Sequence, residues 1–244
     1  MNSSSDNPLL SYFFRNGDAG IHKWVDYFEV YHRLLAGFRG RPIKFLEIGV
    51  QNGGSIKMWR EYFGPEAKII GVDIDPACKN IEAENIEIWI GDQSDPGFWE
   101  DFCETHPNLD VVIDDGGHSM HQQLTTFNSL FPCLNNFGLY LCEDTHTSYF
   151  PSHGGGMGRT DTFHERIKQL IDGMHAWYHA PLAELDQEYW AKNLYSISFF
   201  DSVVALEKRF KNIPITLARG NYGHVQNPPV MSFLDMRRAF GVKD

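Results

Sequence analysis

The sequence predicts an α/β protein: a doubly wound, Rossmann-like parallel sheet closed at one edge by an antiparallel hairpin. Three observations carry that reading. Short apolar runs alternate with helix-period segments through about residue 144. The runs end in glycine or aspartate, the residues of ligand-facing turns in such sheets. Two further apolar runs then follow each other closely, joined at Asp201–Ser202. With 244 residues, 42% of them hydrophobic, the chain can bury one sizeable core.

Taken in order, residues 1–20 are polar and read as a loose start. From His22 to Phe38, Trp24, Tyr27, Phe28, Tyr31, Leu34, Leu35 and Phe38 recur at helical spacing. This predicts an amphipathic helix lying on the main body. "RPIKFLEIGV" is strand one. "GSIKMWREYFG" is a helix with Ile56, Trp59, Tyr62 and Phe63 on one face, stopped by Gly64. "KIIGVDID" and "NIEIWIGD" are strands two and three, and a helix follows from about Pro96 to His106. "LDVVIDDG" is strand four. "HSMHQQLTTFNSLF" is a helix with Met120, Leu124, Phe127 and Phe131 aligned, and "FGLYLCED" is strand five. The glycine-rich 151–160 segment is too glycine-rich to pack and reads as a lid. A helix near 161–177 and the hairpin in "LYSISFFDSVVALEKRF" complete the fold. Residues 211–244 read as irregular, with one short helix near 232–240. The expected organisation is a helical extension over 1–40, a catalytic domain over 41–210 and a tail over 211–244.

Composition narrows the function. The formal charge of −11 repels phosphate backbones and argues against a nucleic-acid partner. No apolar stretch approaches membrane-span length, and the start lacks the pattern of a signal peptide. Cys78, Cys103, Cys133 and Cys142 show no C-x-x-C pair and sit in apolar segments. They read as reduced, buried thiols of a cytoplasmic protein.

The turn after strand one is "LEIGVQNGGS". Its glycines let a ligand approach the backbone, yet it lacks the second glycine of a dinucleotide fingerprint. It carries a carboxylate, Glu47, two residues before Gly49, which favours a cationic amino group over a pyrophosphate. Asn52, Gly53 and Ser55 complete the turn. Strand two ends at Asp73, placed for ribose hydroxyls, and strand three at Asp92–Gln93, placed for an adenine edge. An acidic turn, a ribose carboxylate and a polar adenine reader fit S-adenosylmethionine, which has no phosphate.

Strand four ends in Asp114 and Asp115, strand five in Glu143 and Asp144. Consecutive crossover strands are expected to be neighbours, roughly 5 Å apart. Four carboxylates then converge in a small volume, at a cost of several kcal/mol unless a cation joins them. All-oxygen ligands favour a hard dication, Mg²⁺ or Mn²⁺.

"KFLEIGVQNGGSIKMWREYFG…KIIGVDID" and "VVIDDGGHSMHQQLTTFNSLFPCL…GLYLCEDTHTSYF" resemble the metal-dependent sugar O-methyltransferases that tailor macrolides and related natural products. These are class I, S-adenosylmethionine-dependent enzymes; relatives in the same broad group carry the label cephalosporin hydroxylase. The resemblance covers roughly residues 20–210. It implies metal ligation by Asp115, Glu143 and Asp144, with His118 as general base and Asp114 near the cofactor methyl. It implies a small hydroxylated acceptor, a sugar or other vicinal diol. The family's larger members carry an extra N-terminal domain, absent from this sequence, so their tetrameric assembly is not expected to carry over; oligomeric state stays open, with a homo-oligomer as one outcome.

His146 and Tyr149, just past strand five, are candidate acceptor contacts. "NPPV" at 227–230 follows the last strand and lacks the aromatic of an amino-methylating motif, so it is discounted. Two rival readings keep the fold. Asp115, His118 and His121 match the donor types of a two-histidine, one-carboxylate iron site, which would make the chain an oxygenase. Alternatively, the chain binds S-adenosylmethionine without catalysis.

Overall fold

A computed structural model describes residues 7–181, 188–214, 233–239 and 241–242. Seven strands form one sheet: β1 (Lys44–Ile48), β2 (Lys68–Asp73), β3 (Ile86–Ile90), β4 (Leu109–Asp114), β5 (Leu134–Cys142), β6 (Leu194–Phe199) and β7 (Val204–Lys208). Their order is β3-β2-β1-β4-β5-β7-β6. The first five run parallel, and β7 pairs antiparallel with both β5 and β6. The expected hairpin is therefore present, with its turn at residues 200–203. This is the doubly wound α/β sheet with a hairpin-closed edge that the strand–helix alternation predicts.

Alternation along the strands builds two cores. Phe45, Ile69, Ile88, Val111, Ile113, Leu139 and Ala205 point to one face. Leu46, Ile70, Val72, Val112, Tyr140, Val204 and Leu206 point to the other. A strand that must serve both faces reads as a continuous apolar run, as β4 does. The first face is covered by α1 (Pro8–Arg15), α2 (Val25–Leu35) and α3 (Gly54–Phe63). The second is covered by α4 (Pro96–Thr105), α5 (Met120–Cys133) and α6 (Phe163–Met174). The short helix α7 (Tyr189–Asn193) precedes β6, and α8 (Phe233–Ala239) lies in the tail.

Four sequence expectations are corrected. The start is not loose throughout: Asn7 caps α1 by accepting from the N–H groups of Leu9 and Leu10, Pro8 opens the helix, and Leu9 is fully buried. The helix expected over 22–38 begins only at Val25: residues 21–24 form no regular element, and Trp24, the N-cap, is extended. Cys103 and Cys133 are joined in a disulfide between α4 and α5, whereas Cys78 and Cys142 are free and buried. Part of the glycine-rich segment does pack: Gly155 is buried, and its N–H and that of Gly156 donate to the carbonyls of Phe150 and Ser148. The 227–230 motif lies outside the described residues. Among those residues, no helix is long and apolar enough to cross a membrane.

Candidate active site

The strand order reverses between β1 and β4, and the crevice opens beyond their carboxyl ends. A cavity of about 220 Å³ lies there, lined by Ile48, Gly49, Gln51, Asp73, Ile74, Asp92, Gln93, Asp115, Gly116, Gly117 and Gln122 among others. Gly49 adopts φ +90°, and a Cβ there would stand 2.0 Å from the Asp115 carbonyl oxygen. Only glycine permits the β1 and β4 turns to touch.

Of the residues expected at a cofactor, Gly49, Asp73, Asp92 and Gln93 line this cavity. Asp73 Oδ2 accepts from the N–H groups of Val50 and Gln51, which fixes the turn. The Gln93 side chain is buried and braces the floor, donating to Asp114 and Thr126 and accepting from the Gly117 N–H. Asp114 lies below that floor. It is 1% exposed and accepts from Gln93 and the Tyr140 hydroxyl. Burial pushes its carboxyl up to about 7, against the lowering effect of those donors.

Glu47 departs most from expectation. It is fully buried and accepts from Ser55 Oγ at 2.7 Å and Trp59 Nε1 at 3.0 Å, away from the cavity lining. Ser55 is thereby turned inward as well, and Asn52 and Gly53 also lie outside the lining. The cation that Glu47 meets is the chain's own Lys23, at 3.6 Å.

The strand-end acids converge as the topology requires. Ligand atoms of Asp115, His118 and Asp144 all lie within 4.8 Å of one another. His118 Nε2 is 3.4 Å from Asp144 Oδ2 and 4.0 Å from Asp115 Oδ1. His118 and Asp144 both adopt left-handed backbone, at φ +56° and +51°. Such conformations are costly for residues with a Cβ, and here two of them aim side chains at one point. Burial holds the His118 imidazole below its ordinary pKa, against the raising influence of the two aspartates. Its Nδ1 is buried without a hydrogen-bond partner.

Glu143 is 1% exposed and faces Lys23 instead, with both carboxylate oxygens 3.0 Å from Nζ. Burial, then the Asp115 charge, pushes its carboxyl upward. His121, the third member of the iron-site alternative, is exposed on α5 and absent from the cluster. That donor set is not assembled.

Two participants were not anticipated from the sequence. Lys23 reaches Asp115 Oδ2 at 2.5 Å from the segment before α2. The Tyr27 hydroxyl lies 2.6 Å from Asp144 Oδ1 and 2.8 Å from Ser202 Oγ. Ser202 in turn contacts His146 Nδ1 at 2.5 Å, and the His146 ring stacks on Trp24 at 5.0 Å. Nothing in the helical spacing separates Tyr27 from an ordinary core tyrosine. A cavity of about 510 Å³ opens beyond this chain of contacts, lined by His146, Tyr149, His164, Lys168, Ile171, Phe199, Phe200, Asp201 and Ser202. His146 and Tyr149 thus share one pocket, beside the carboxylates but distinct from the crevice.

No protein-family model matches the chain. It is similar to the 8-demethyl-8-(2-methoxy-alpha-L-rhamnosyl)-tetracenomycin-C 3'-O-methyltransferase of Streptomyces olivaceus, with 34% identity over 197 residues, 76% of this chain and 50% of the relative. It is similar to the L-olivosyl-oleandolide 3-O-methyltransferase of Streptomyces antibioticus, with 33% identity over 215 residues, 82% of this chain and 54% of the relative. Among solved structures, the MycE methyltransferase of mycinamycin biosynthesis, in complex with Mg, SAH and mycinamycin VI, superposes with a TM-score of 0.72 at 29% identity. That match covers 84% of this chain and 53% of the other. The chain spans about half the length of the curated relatives it matches.

Proposed function

We propose that this chain, a relative of the sugar O-methyltransferases of polyketide-glycoside pathways, is an S-adenosylmethionine-dependent O-methyltransferase that uses Mg²⁺ or Mn²⁺ and acts on a hydroxyl of a small glycosylated or vicinal-diol acceptor. The observation that carries the reading is the position of Asp115. It lines the crevice cavity and also belongs to the acidic cluster, so a donor and a cation would meet at one residue.

The residues present fit both groups. The crevice offers Asp73 and Asp92 at the ends of β2 and β3, and glycine backbone at the turns where a ligand can approach closely. The cluster offers carboxylate oxygens, the donors that hard dications select; imidazole suits softer metals. Asp115 and Asp144, with Glu143 as the family resemblance implies, would hold the cation, which leaves His118 as the base. When bound, the dication would stabilise negative charge developing on an acceptor hydroxyl, and S-adenosylmethionine would supply the methyl group.

The chain's own side chains do the rest. Burial lowers the His118 pKa, which favours the neutral imidazole that a general base needs. Tyr27, itself held by Ser202, fixes one oxygen of Asp144. The larger cavity, with aromatic and histidine walls, would receive the acceptor and orient its hydroxyl toward the cluster.

The test is transfer of labelled methyl from S-adenosylmethionine to a panel of glycosides, with and without chelator. Transfer should need added Mg²⁺ or Mn²⁺, and Asp144→Asn should lower turnover by roughly 100-fold, the upper range for a perturbed metal environment. Undiminished transfer in excess EDTA would overturn the reading.

A further inference from the structure

Three acidic side chains, Glu47, Asp115 and Glu143, gather around one lysine. The Lys23 side chain is only 3% exposed, and its Nζ lies 2.5 Å from Asp115, 3.0 Å from both Glu143 oxygens and 3.6 Å from Glu47. Glu47 and Glu143 are likewise buried. A buried ammonium with three carboxylate partners is not a chance surface contact. Long side chains lose substantial rotamer entropy on burial, and desolvation of the charge adds to that cost.

The backbone is shaped to deliver it. A Cβ on Gly54 would stand 2.3 Å from the Gly20 carbonyl oxygen and 2.7 Å from that of Ala19. The segment carrying Lys23 is therefore pressed against the start of α3. On the other side, Trp24 stacks on His146 and on Tyr27, anchoring the residue that follows. Lys23 is held between two fixed contacts.

We propose that Lys23 is a built-in counter-ion of the acidic cluster, and that its fixed charge sets how tightly the cluster holds a dication. Its ammonium satisfies Glu47 and Glu143 and takes one oxygen of Asp115. The other Asp115 oxygen faces His118, on the side of Asp144. The cluster can thus persist without a metal, and a dication enters a site whose negative charge is already reduced. Lys23 is a positioning residue, acting through the carboxylates. The proposal rests on the metal-dependent reading above.

The experiment is isothermal titration of the metal-stripped protein with MnCl₂ and with MgCl₂, alongside its thermal midpoint with and without metal. Lys23→Met should bind either dication at least about tenfold more tightly, because one nearby positive charge is gone. Its metal-free form should melt lower, with a larger rise on adding metal. Lys23→Arg should stay close to the parent. Lys23→Met/Glu47→Gln removes one charge of each sign without touching Asp115, Glu143 or Asp144. It should return the affinity toward the parent value and serves where the single variant does not fold. Unchanged or weaker binding by Lys23→Met, or by an unfolded single variant's double counterpart a tenfold departure from the parent, would overturn the proposal. A parent protein that binds neither dication would instead sink the metal-dependent function itself.

Discussion

Tyr27 shows how much one hydroxyl can govern. It bridges Asp144 and Ser202, and Ser202 continues to His146 at the mouth of the larger cavity. Tyr27→Phe leaves a buried serine and the Asp144 carboxylate short of a partner. A stability loss of about 1–3 kcal/mol follows from the unsatisfied groups. In metal titrations of the transfer reaction, Tyr27→Phe should need several-fold more Mg²⁺ for half-maximal rate, with much of the rate regained at saturation. A purely structural tyrosine would lower the stability and leave the metal dependence unmoved. At this scale the sequence was legible where chemistry clusters along the chain. Asp114–Asp115 and Glu143–Asp144 announce themselves as paired acids ending apolar runs. Lys23 does not: it is one lysine in an amphipathic stretch, and the two partners it hydrogen-bonds lie 92 and 120 residues away.

Helix α4 ends in a feature with a pH signature. His106, its C-cap, is buried against Phe102 and Trp89, with Glu87 3.3 Å from Nε2. Burial pulls its pKa below the ordinary 6.5, although Glu87 opposes the shift. The folded state therefore binds fewer protons than the unfolded chain just below pH 6.5, and stability falls as pH drops through that window. His106→Phe, which fits the aromatic surroundings, should flatten that part of the midpoint-versus-pH curve; an unaltered slope would refute the assignment. Element by element, the strands were readable because each carries a continuous apolar run between turn residues. Helix α1 was overlooked although its Asn-Pro start is a capping signal and Leu9, Leu10, Tyr12, Phe13 and Phe14 are apolar, because eight residues flanked by the polar MNSSSD and NGD stretches look, together with them, like one polar tail. The glycine run at 154–156 misleads in the other direction. Close backbone packing, as at Gly155 against the Thr147 and Ser148 carbonyls, needs glycine as much as freedom does.

For the molecule as a whole, the Cys103–Cys133 bridge ties α4 to α5 across a separation of 30 residues. Closing a loop of that length removes about 3–4 kcal/mol of unfolded-chain entropy in the simple model. Thiol titration of the denatured, unreduced protein should count two reactive cysteines, and Cys103→Ser/Cys133→Ser should lose stability on that order. A count of four would return the chain to the reduced state that its cysteine spacing suggests. Fold class was legible at this scale because strand–helix alternation dictates it. Disulfide pairing was not, since it depends on how two neighbouring helices face each other.

The contact between Gly49 and the Asp115 carbonyl has a thermodynamic corollary. Those two turns have no room to shift independently: the Asp115 N–H donates to the Ile48 carbonyl, and the Glu143 N–H donates to that of Asp114. Whatever seats itself over the β1 turn therefore also sets the stance of the acids beyond β4 and β5. Two occupants so coupled would be reciprocal effectors, each altering the other's grip by the same factor.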